Sequence, residues 1–439
     1  MRARSRPDDT PARPGNSPTR PGDTPARPGN SPTRPGDTPA RPGNSPTRPG
    51  DVPARPGNSP TRPDDTTARP GAAADTEAGR RAAAAALLRH GTVIPAHPLA
   101  LDARRRLDER RQRALTRYYL DAGAGGLAVG VHTTQFALRD HGLYRAVLSL
   151  AAEESARHTA RGADAAVVRV AGVCGPVEQA VAEAETARSL GYDAVLVSPA
   201  GLPDADESAL LDRSAAVGEV LPVIGFYLQE AVGGRYLSRD YWRGLADQES
   251  TAAVKAAPFD RYRTLELVQG VAASERGDAV ALYTGNDDAI VQDLLTPFTV
   301  DGPGGPVVRR FVGGLLGHWA VWTRSAVRLL ADAHAAAAGD TAAAGRALAR
   351  LAGDTEANAA VYDVRGGFSG VIAGVHEVLR LQGLLAGTWC LDPDEGLSPG
   401  QAALIADVRD RYPWLREEDA FVASGLPRWL GAPDGPAPF

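Results

Sequence analysis

One lysine stands in the whole chain: Lys255, within Thr251-Ala-Ala-Val-Lys-Ala-Ala-Pro258. Arginine carries the remaining permanent positive charge, and the surplus of Ala, Arg, Gly and Pro marks a GC-rich coding bias. Under such a bias lysine disappears wherever arginine serves, so Lys255 reads as a position where arginine does not. Guanidinium stays protonated in proteins, whereas a lysine amine can be desolvated until it is partly neutral. A neutral amine adds to a carbonyl and gives a Schiff base. Bringing its pKa from about 10.4 to about 7 disfavours the charged form by roughly 4.5–5 kcal/mol, within reach of an apolar pocket. The bland alternative is a strand-end lysine that reaches solvent or pairs with a carboxylate.

Other residues could work with that amine. Tyr227 ends the apolar run PVIGFYL (222–228), 28 residues before Lys255. A phenol there can shuttle protons during carbinolamine collapse and carbon–carbon cleavage, or simply pack. In His132-Thr133-Thr134-Gln135, adjacent hydroxyls and loop amides suit a carboxylate held without a covalent bond. Arg261, in PFDRYRT, could meet a substrate carboxylate or phosphate, or lie on the surface. Asp287-Asp288 could be metal ligands, but the eight histidines show no HxH or HExxH spacing. Neither a metal nor another cofactor is expected. Gly123, Gly125 and Gly126 follow a helical pattern and precede a strand, the reverse of a dinucleotide fingerprint.

The elements that must position these residues repeat regularly. Strand-like runs occur at 92–97, 126–131, 165–173, 193–198, 222–228, 251–257, 278–285 and 306–313. Helical patterns separate them, among them 103–121 capped by Asp102, and 176–190 with Pro at its start. Eight strand–helix units predict an α/β fold, a (β/α)8 TIM barrel over residues 80–325; a doubly wound open sheet is the alternative. More helix follows over 326–439, including the Ala-rich 331–352 and 401–411, which predicts a C-terminal helical extension. In such a barrel chemistry sits at the C-terminal strand ends, where Tyr227 and Lys255 close neighbouring strands.

The first 72 residues are a different material. RPGDTPA alternates with RPGNSPT, and the segment holds 18 of the 35 prolines and no aromatic residue. Such a tail cannot bury enough apolar surface to offset its ordering entropy and is predicted to be disordered or polyproline-like. It reads as a solvated spacer, or as a translated repeat upstream of the true start. Alternatively it is a PxxP ligand through copies of Pro11-Ala-Arg-Pro14. The net charge of −5 argues against nucleic-acid or anionic-membrane partners, and no apolar run is long enough to span a bilayer. Two cysteines, Cys174 and Cys390, and no apolar leader predict a reducing, cytoplasmic setting.

Over roughly residues 88–410 the chain resembles the dihydrodipicolinate synthase/N-acetylneuraminate lyase family of class I aldolases. IPAHPL, DAGAGGLAVGVHTTQF, GVCGPVEQAVAEAETARSLGYDAVLVSP, VIGFYL, AAVKAAP and TGND carry the likeness. The run KAAPFDRYRT…LYTGNDD resembles a distinct branch of it. The resemblance implies a lysine imine with a 2-oxo acid, usually pyruvate, followed by aldol addition, cleavage or dehydration. It implies Lys255 as nucleophile, Tyr227 as proton shuttle and Thr133 as carboxylate anchor, with His132 or Thr134 as the neighbouring motif position. It also implies Gly285 in the turn after strand seven, and a homo-oligomer. Two departures argue against lysine biosynthesis: Pro199-Ala200-Gly201 stands where the family often has a tyrosine pair, and Arg235 lies three residues beyond the expected substrate arginine. The alternative is a barrel that binds a small keto acid without turnover.

Because a low-complexity repeat cannot shape a pocket, a chain beginning near Ala72 is expected to keep its melting temperature and its turnover. A large loss of either on removing the tail would show that the tail docks on the barrel.

Overall fold

A computed structural model describes residues 77–161, 166–202 and 204–431, all within one compact unit. The expected repeat tail, 1–72, lies outside the described residues. The strands are β1 (Val93–Pro95), β2 (Gly126–Val129), β3 (Val168–Val173), β4 (Ala194–Val197), β5 (Val223–Leu228), β6 (Thr251–Ala257), β7 (Ala281–Thr284), β8 (Phe298–Gly302), β9 (Gly305–Arg309) and β10 (Phe311–Leu316). Eight of them form one parallel sheet in the order β1-β10-β7-β6-β5-β4-β3-β2. A parallel bridge between Ala96 and Ala128 links its two outer strands, and the His97 N–H donates to the Ala128 carbonyl at 2.8 Å. The fold is a TIM barrel.

Side chains alternate between two apolar layers, as the two-residue period of a strand requires. Ile94, Ala128, Val170, Leu196, Ile224, Phe226, Leu228, Ala253 and Ala257 fill the interior, with Ala84 and Leu88 of helix Glu77–His90 packed into the same cluster. Val129, Val173, Val197, Val223, Tyr227, Val254 and Ala256 face outward to the surrounding helices. On β6, positions 253, 255 and 257 therefore share the inner face, which aims Lys255 into the barrel.

Three local expectations change. The run 306–313 is not one strand. Residues 305–309 pair antiparallel with β8, and the barrel strand is Phe311–Leu316. The hairpin leaves Val308 59% exposed, whereas β10 is buried along nearly its whole length, and Arg309 at the break pairs with Asp278 at 2.8 Å. Asp102 does not cap a helix over 103–121. It accepts from the Arg104 and Arg106 N–H groups in a turn, and the helix Glu109–Asp121 is capped by Asp108. The Ala-rich 331–352 is split at Gly339 (φ +104°), with Asp340 capping the second helix through the Ala342 and Ala343 N–H groups.

Beyond the barrel strands run helices Thr323–Ala337, Thr341–Val361, Val371–Leu381, Gln401–Arg411 and Pro413–Trp429. The expected boundary at 325/326 falls inside the first of these. Leu330, Val361, Val375, Ile405, Val422 and Trp429 belong to the same apolar cluster as Leu115 and Tyr118 of the barrel. Among the described residues, no helix is long and apolar enough to cross a membrane.

Glu418, on the last helix, ties these parts together from a buried position. Its carboxylate accepts from the Tyr118 hydroxyl at 2.7 Å and from the Arg324 and Ser325 N–H groups at 3.1 and 2.9 Å. Glu418→Ala would leave three donors without this acceptor, two of them buried. The expected loss is about 2–3 kcal/mol, read as a lowered urea midpoint with unchanged slope. An unchanged midpoint would show that water replaces the carboxylate without penalty.

Candidate active site

Lys255 projects from β6 into a cavity of about 40 Å³ at the barrel mouth, room for roughly three waters. The side chain is 7% exposed, and its nitrogen lies 4.2 Å from the centre of the Phe226 ring. Phe226, Leu228, Val232, Ala257 and Phe259 form apolar walls, while His132, Thr133, Gln229, Asp287 and Tyr362 supply polar ones. Gly285 sits where any side chain would strike the lysine: an added Cβ would lie 2.5 Å from Lys255 Cε and 2.8 Å from Ala257 Cβ. That glycine opens the path of the lysine arm rather than serving a turn.

The Thr284-Gly-Asn-Asp287 segment supplies the opposite wall. Asp287 is 4% exposed, and its Oδ1 accepts from the Tyr362 hydroxyl at 2.9 Å and the His318 N–H at 2.8 Å. Asn286 donates to Thr264 Oγ1 and Asp293 Oδ2, and its Oδ1 accepts from the Phe259 N–H at 3.0 Å. This last bond helps hold Phe259 in a left-handed backbone (φ +53°), a conformation that large side chains rarely adopt. Phe259 then stacks parallel to Tyr362, ring centres 6.4 Å apart, and edge-on to Phe368 at 6.0 Å. Phe259 and Tyr362 thus line the cavity together, one from the barrel and one from the end of a C-terminal helix.

The expected site residues divide. Lys255, His132, Thr133 and Gly285 meet around the cavity. Thr133 Oγ1 already donates to the Ala96 carbonyl at 2.8 Å, so toward a ligand its oxygen only accepts. Thr134 faces away. Its hydroxyl donates to the His97 carbonyl and accepts from the Gly130 and Val131 N–H groups, fixing the end of β2. Arg261 pairs with the buried Asp293, which also accepts from Thr284 and Asn286, so it braces the turn after β7. Arg235 donates to the Ala205 carbonyl. Neither arginine lines the cavity.

Tyr227 also faces away. On β5 it belongs to the outer layer, its ring 5.2 Å from Trp242 and its hydroxyl accepting from the Leu237 N–H at 3.4 Å. The cause is a shift in pairing. Val223 pairs with Thr251, but Ile224 pairs with Ala253, so Ala252 is an extra residue on β6. From there Phe226 stands opposite Lys255 and Tyr227 opposite Ala256. A spacing of 28 would align Tyr227 with Lys255 only without that bulge.

Burial sets the electrostatics. It lowers the Lys255 pKa, an effect partly countered by the Asp287 charge. It raises the Asp287 pKa, countered by Lys255, the His318 N–H and the Tyr362 hydroxyl. His132 is lowered to about 4 by burial and by the charge of Lys255, so its ring is neutral near pH 7. Burial and the Asp287 charge raise Tyr362 well above the usual phenol range. Such a cavity can hold an uncharged amine, add it to a carbonyl, and offer a carboxylate poised to exchange a proton. Asp287 was readable in the sequence only as half of an acidic pair, and Phe226 and Gln229 only as strand-end residues. Tyr362 carries no local signal, because a distant helix brings it to the barrel. Among the described residues, no three His, Cys, Asp or Glu side chains gather as metal ligands.

No protein-family model matches the chain, and no curated protein matches its sequence. Solved structures do match. Dihydrodipicolinate synthase from Oceanobacillus iheyensis aligns with a TM-score of 0.57 at 17% identity, over 75% of this chain and 98% of that one. N-acetylneuraminate lyase from Fusobacterium nucleatum gives 0.58 at 16%, over 74% and 99%. A prophage protein of the dihydrodipicolinic acid synthase family from E. coli K12, solved with pyruvate, gives 0.58 at 18%, over 74% and 98%. At these identities the likeness is one of fold: this chain is built on the same barrel as those enzymes.

Proposed function

We propose that the chain is a Schiff-base lyase or aldolase, similar to dihydrodipicolinate synthase and N-acetylneuraminate lyase, that acts on a 2-oxo acid of the pyruvate type. The observation that carries this reading is the chain's one lysine, buried at the barrel mouth with an amine whose charged form is disfavoured. The amine adds to the keto carbon, water leaves, and a protonated imine remains on Lys255. The likeness to a barrel solved with pyruvate supports the substrate class. Thr133, with its hydroxyl committed to Ala96, would meet the carboxylate through its backbone amide, beside His132. Among the described residues no arginine lines the cavity, and this and the apolar walls favour a compact acid, or an acceptor, without a second anionic group.

A second reading, a barrel that binds a keto acid without turnover, is favoured by one observation: Phe226, not a tyrosine, stands beside the amine. Exchange of substrate protons with solvent separates the two, since a mere binder forms the imine and exchanges nothing beyond background.

Borohydride reduction with a panel of 2-oxo acids tests the proposal. One substrate mass should appear on the protein and, after digestion, on Lys255; the chain's α-amino group is the only other primary amine. Lys255→Arg should keep the fold and lose both trapping and turnover. Turnover by Lys255→Arg, or labelling of the N-terminus alone, would overturn the mechanism.

Tyr227→Phe is expected to leave turnover near that of the unaltered protein, because the phenol faces Trp242. A positioned acid or base would lose roughly 10² to 10⁴ instead. A loss of that size in steady-state kinetics would place Tyr227 in the chemistry after all.

A further inference from the structure

The reaction needs a group that moves protons at the carbon next to the imine, and Tyr227 does not reach the cavity. From the geometry we infer that Asp287, oriented by the Tyr362 hydroxyl, is the base that takes the substrate's C3 proton. The inference rests on the Schiff-base reading above. Asp287 and Tyr362 both line the cavity that holds the Lys255 amine. The Asp287 Oδ1 is occupied by two donors, the Tyr362 hydroxyl at 2.9 Å and the His318 N–H at 2.8 Å. The second carboxylate oxygen has no protein donor among the described residues. Among those residues, too, no carboxylate lies in ion-pair contact with Lys255; the two charges interact across the cavity. A substrate joined to Lys255 would share that cavity with the Asp287 carboxylate.

The step balances without any other reactant. Asp287 takes a proton from C3 of the imine, the C–H pair becomes the C2–C3 double bond, and the C2–N π pair moves to nitrogen. The product is a neutral enamine and a protonated Asp287, which can return the proton or pass it on. Both partners change charge together: the cationic imine that favours the Asp287 carboxylate is neutralised as the carboxylate is. Burial makes the carboxylate basic enough for this work, and the two donors keep it ionisable. Tyr362 is a positioning residue in this scheme, since its hydroxyl acts through Asp287. The second aromatic contact, Phe259 stacked on Tyr362, holds that ring in place.

The full chain, incubated with pyruvate in D2O, tests the dyad through two readouts: borohydride trapping on Lys255, and loss of the methyl proton signal by NMR. Asp287→Asn, equal in shape, should trap pyruvate yet exchange its methyl protons at least about 10²-fold more slowly. Tyr362→Phe should trap, exchange about tenfold more slowly, and move the rising limb of the exchange profile to higher pH. The sign follows from the lost hydrogen bond: without the hydroxyl the carboxylate is harder to form, so it appears at higher pH. The charges of Lys255 and Asp288 also act on this group, and His132 lines the same cavity; all three are retained in Tyr362→Phe. Undiminished exchange in Asp287→Asn, with trapping retained, would overturn the dyad and leave the imine intact. Absence of trapping in the unaltered protein across the 2-oxo acid panel would remove the Schiff-base reading and the dyad with it. If Asp287→Asn fails to fold, the Tyr362→Phe profile decides: an unshifted limb overturns the dyad.

Discussion

Keeping one amine out of water is the constraint around which the barrel mouth is arranged. A charged lysine resists such burial, so its surroundings must either supply an opposite charge or let the proton go. Here they do both. Asp287 interacts with Lys255 across the cavity, while burial works against the charged form of each. Phe226 lies against the amine, Ala253 and Ala257 flank it on the inner face, and Gly285 keeps the path of the arm clear. A larger residue at any of these small positions would compete for the volume that the lysine uses. His132, neutral for the same reason of burial, adds polarity without a second positive charge.

That arrangement depends on parts far apart in the chain. The TGND turn is braced by Asn286, Asp293 and Thr284, all buried, and by the partly exposed Arg261, none of which lines the cavity. Its purpose is positional: it fixes Asp287 on one side and the strained Phe259 backbone on the other. Tyr362 arrives from the end of a helix beyond the barrel, and Glu418 anchors the last helix to Tyr118 and to the helix starting at Thr323. The C-terminal helices therefore complete the site as well as the core.

Much of this was readable from residue chemistry and period. A solitary lysine under strong arginine bias marked a position worth watching, and the fold places its side chain at the cavity. Strand-like runs at regular intervals announced the barrel, although Pro306–Arg309 was read as part of its eighth strand. That run alternates just as a barrel strand would. Only burial distinguishes a hairpin with Val308 in solvent from a strand covered on both sides. Thr133 and Thr134 were indistinguishable in sequence, because either could face the cavity. Hydrogen bonds to Ala96 and His97 assign one to the cavity wall and the other to the strand end.

Alone, the sequence determined which residue types were present and the periods that fold them: one amine, eight strand–helix units, glycine beside Asn-Asp. These are local properties, written in composition and spacing. Tertiary structure alone decided which side chains meet. Ala252 is one residue more than the pairing of β5 with β6 requires, and a one-residue slip exchanges the two faces of a strand. Past that bulge Phe226 faces the amine and Tyr227 the helices. Tyr362, with no mark in its own neighbourhood, comes within hydrogen-bond reach of Asp287 because a helix packed on the barrel carries it there.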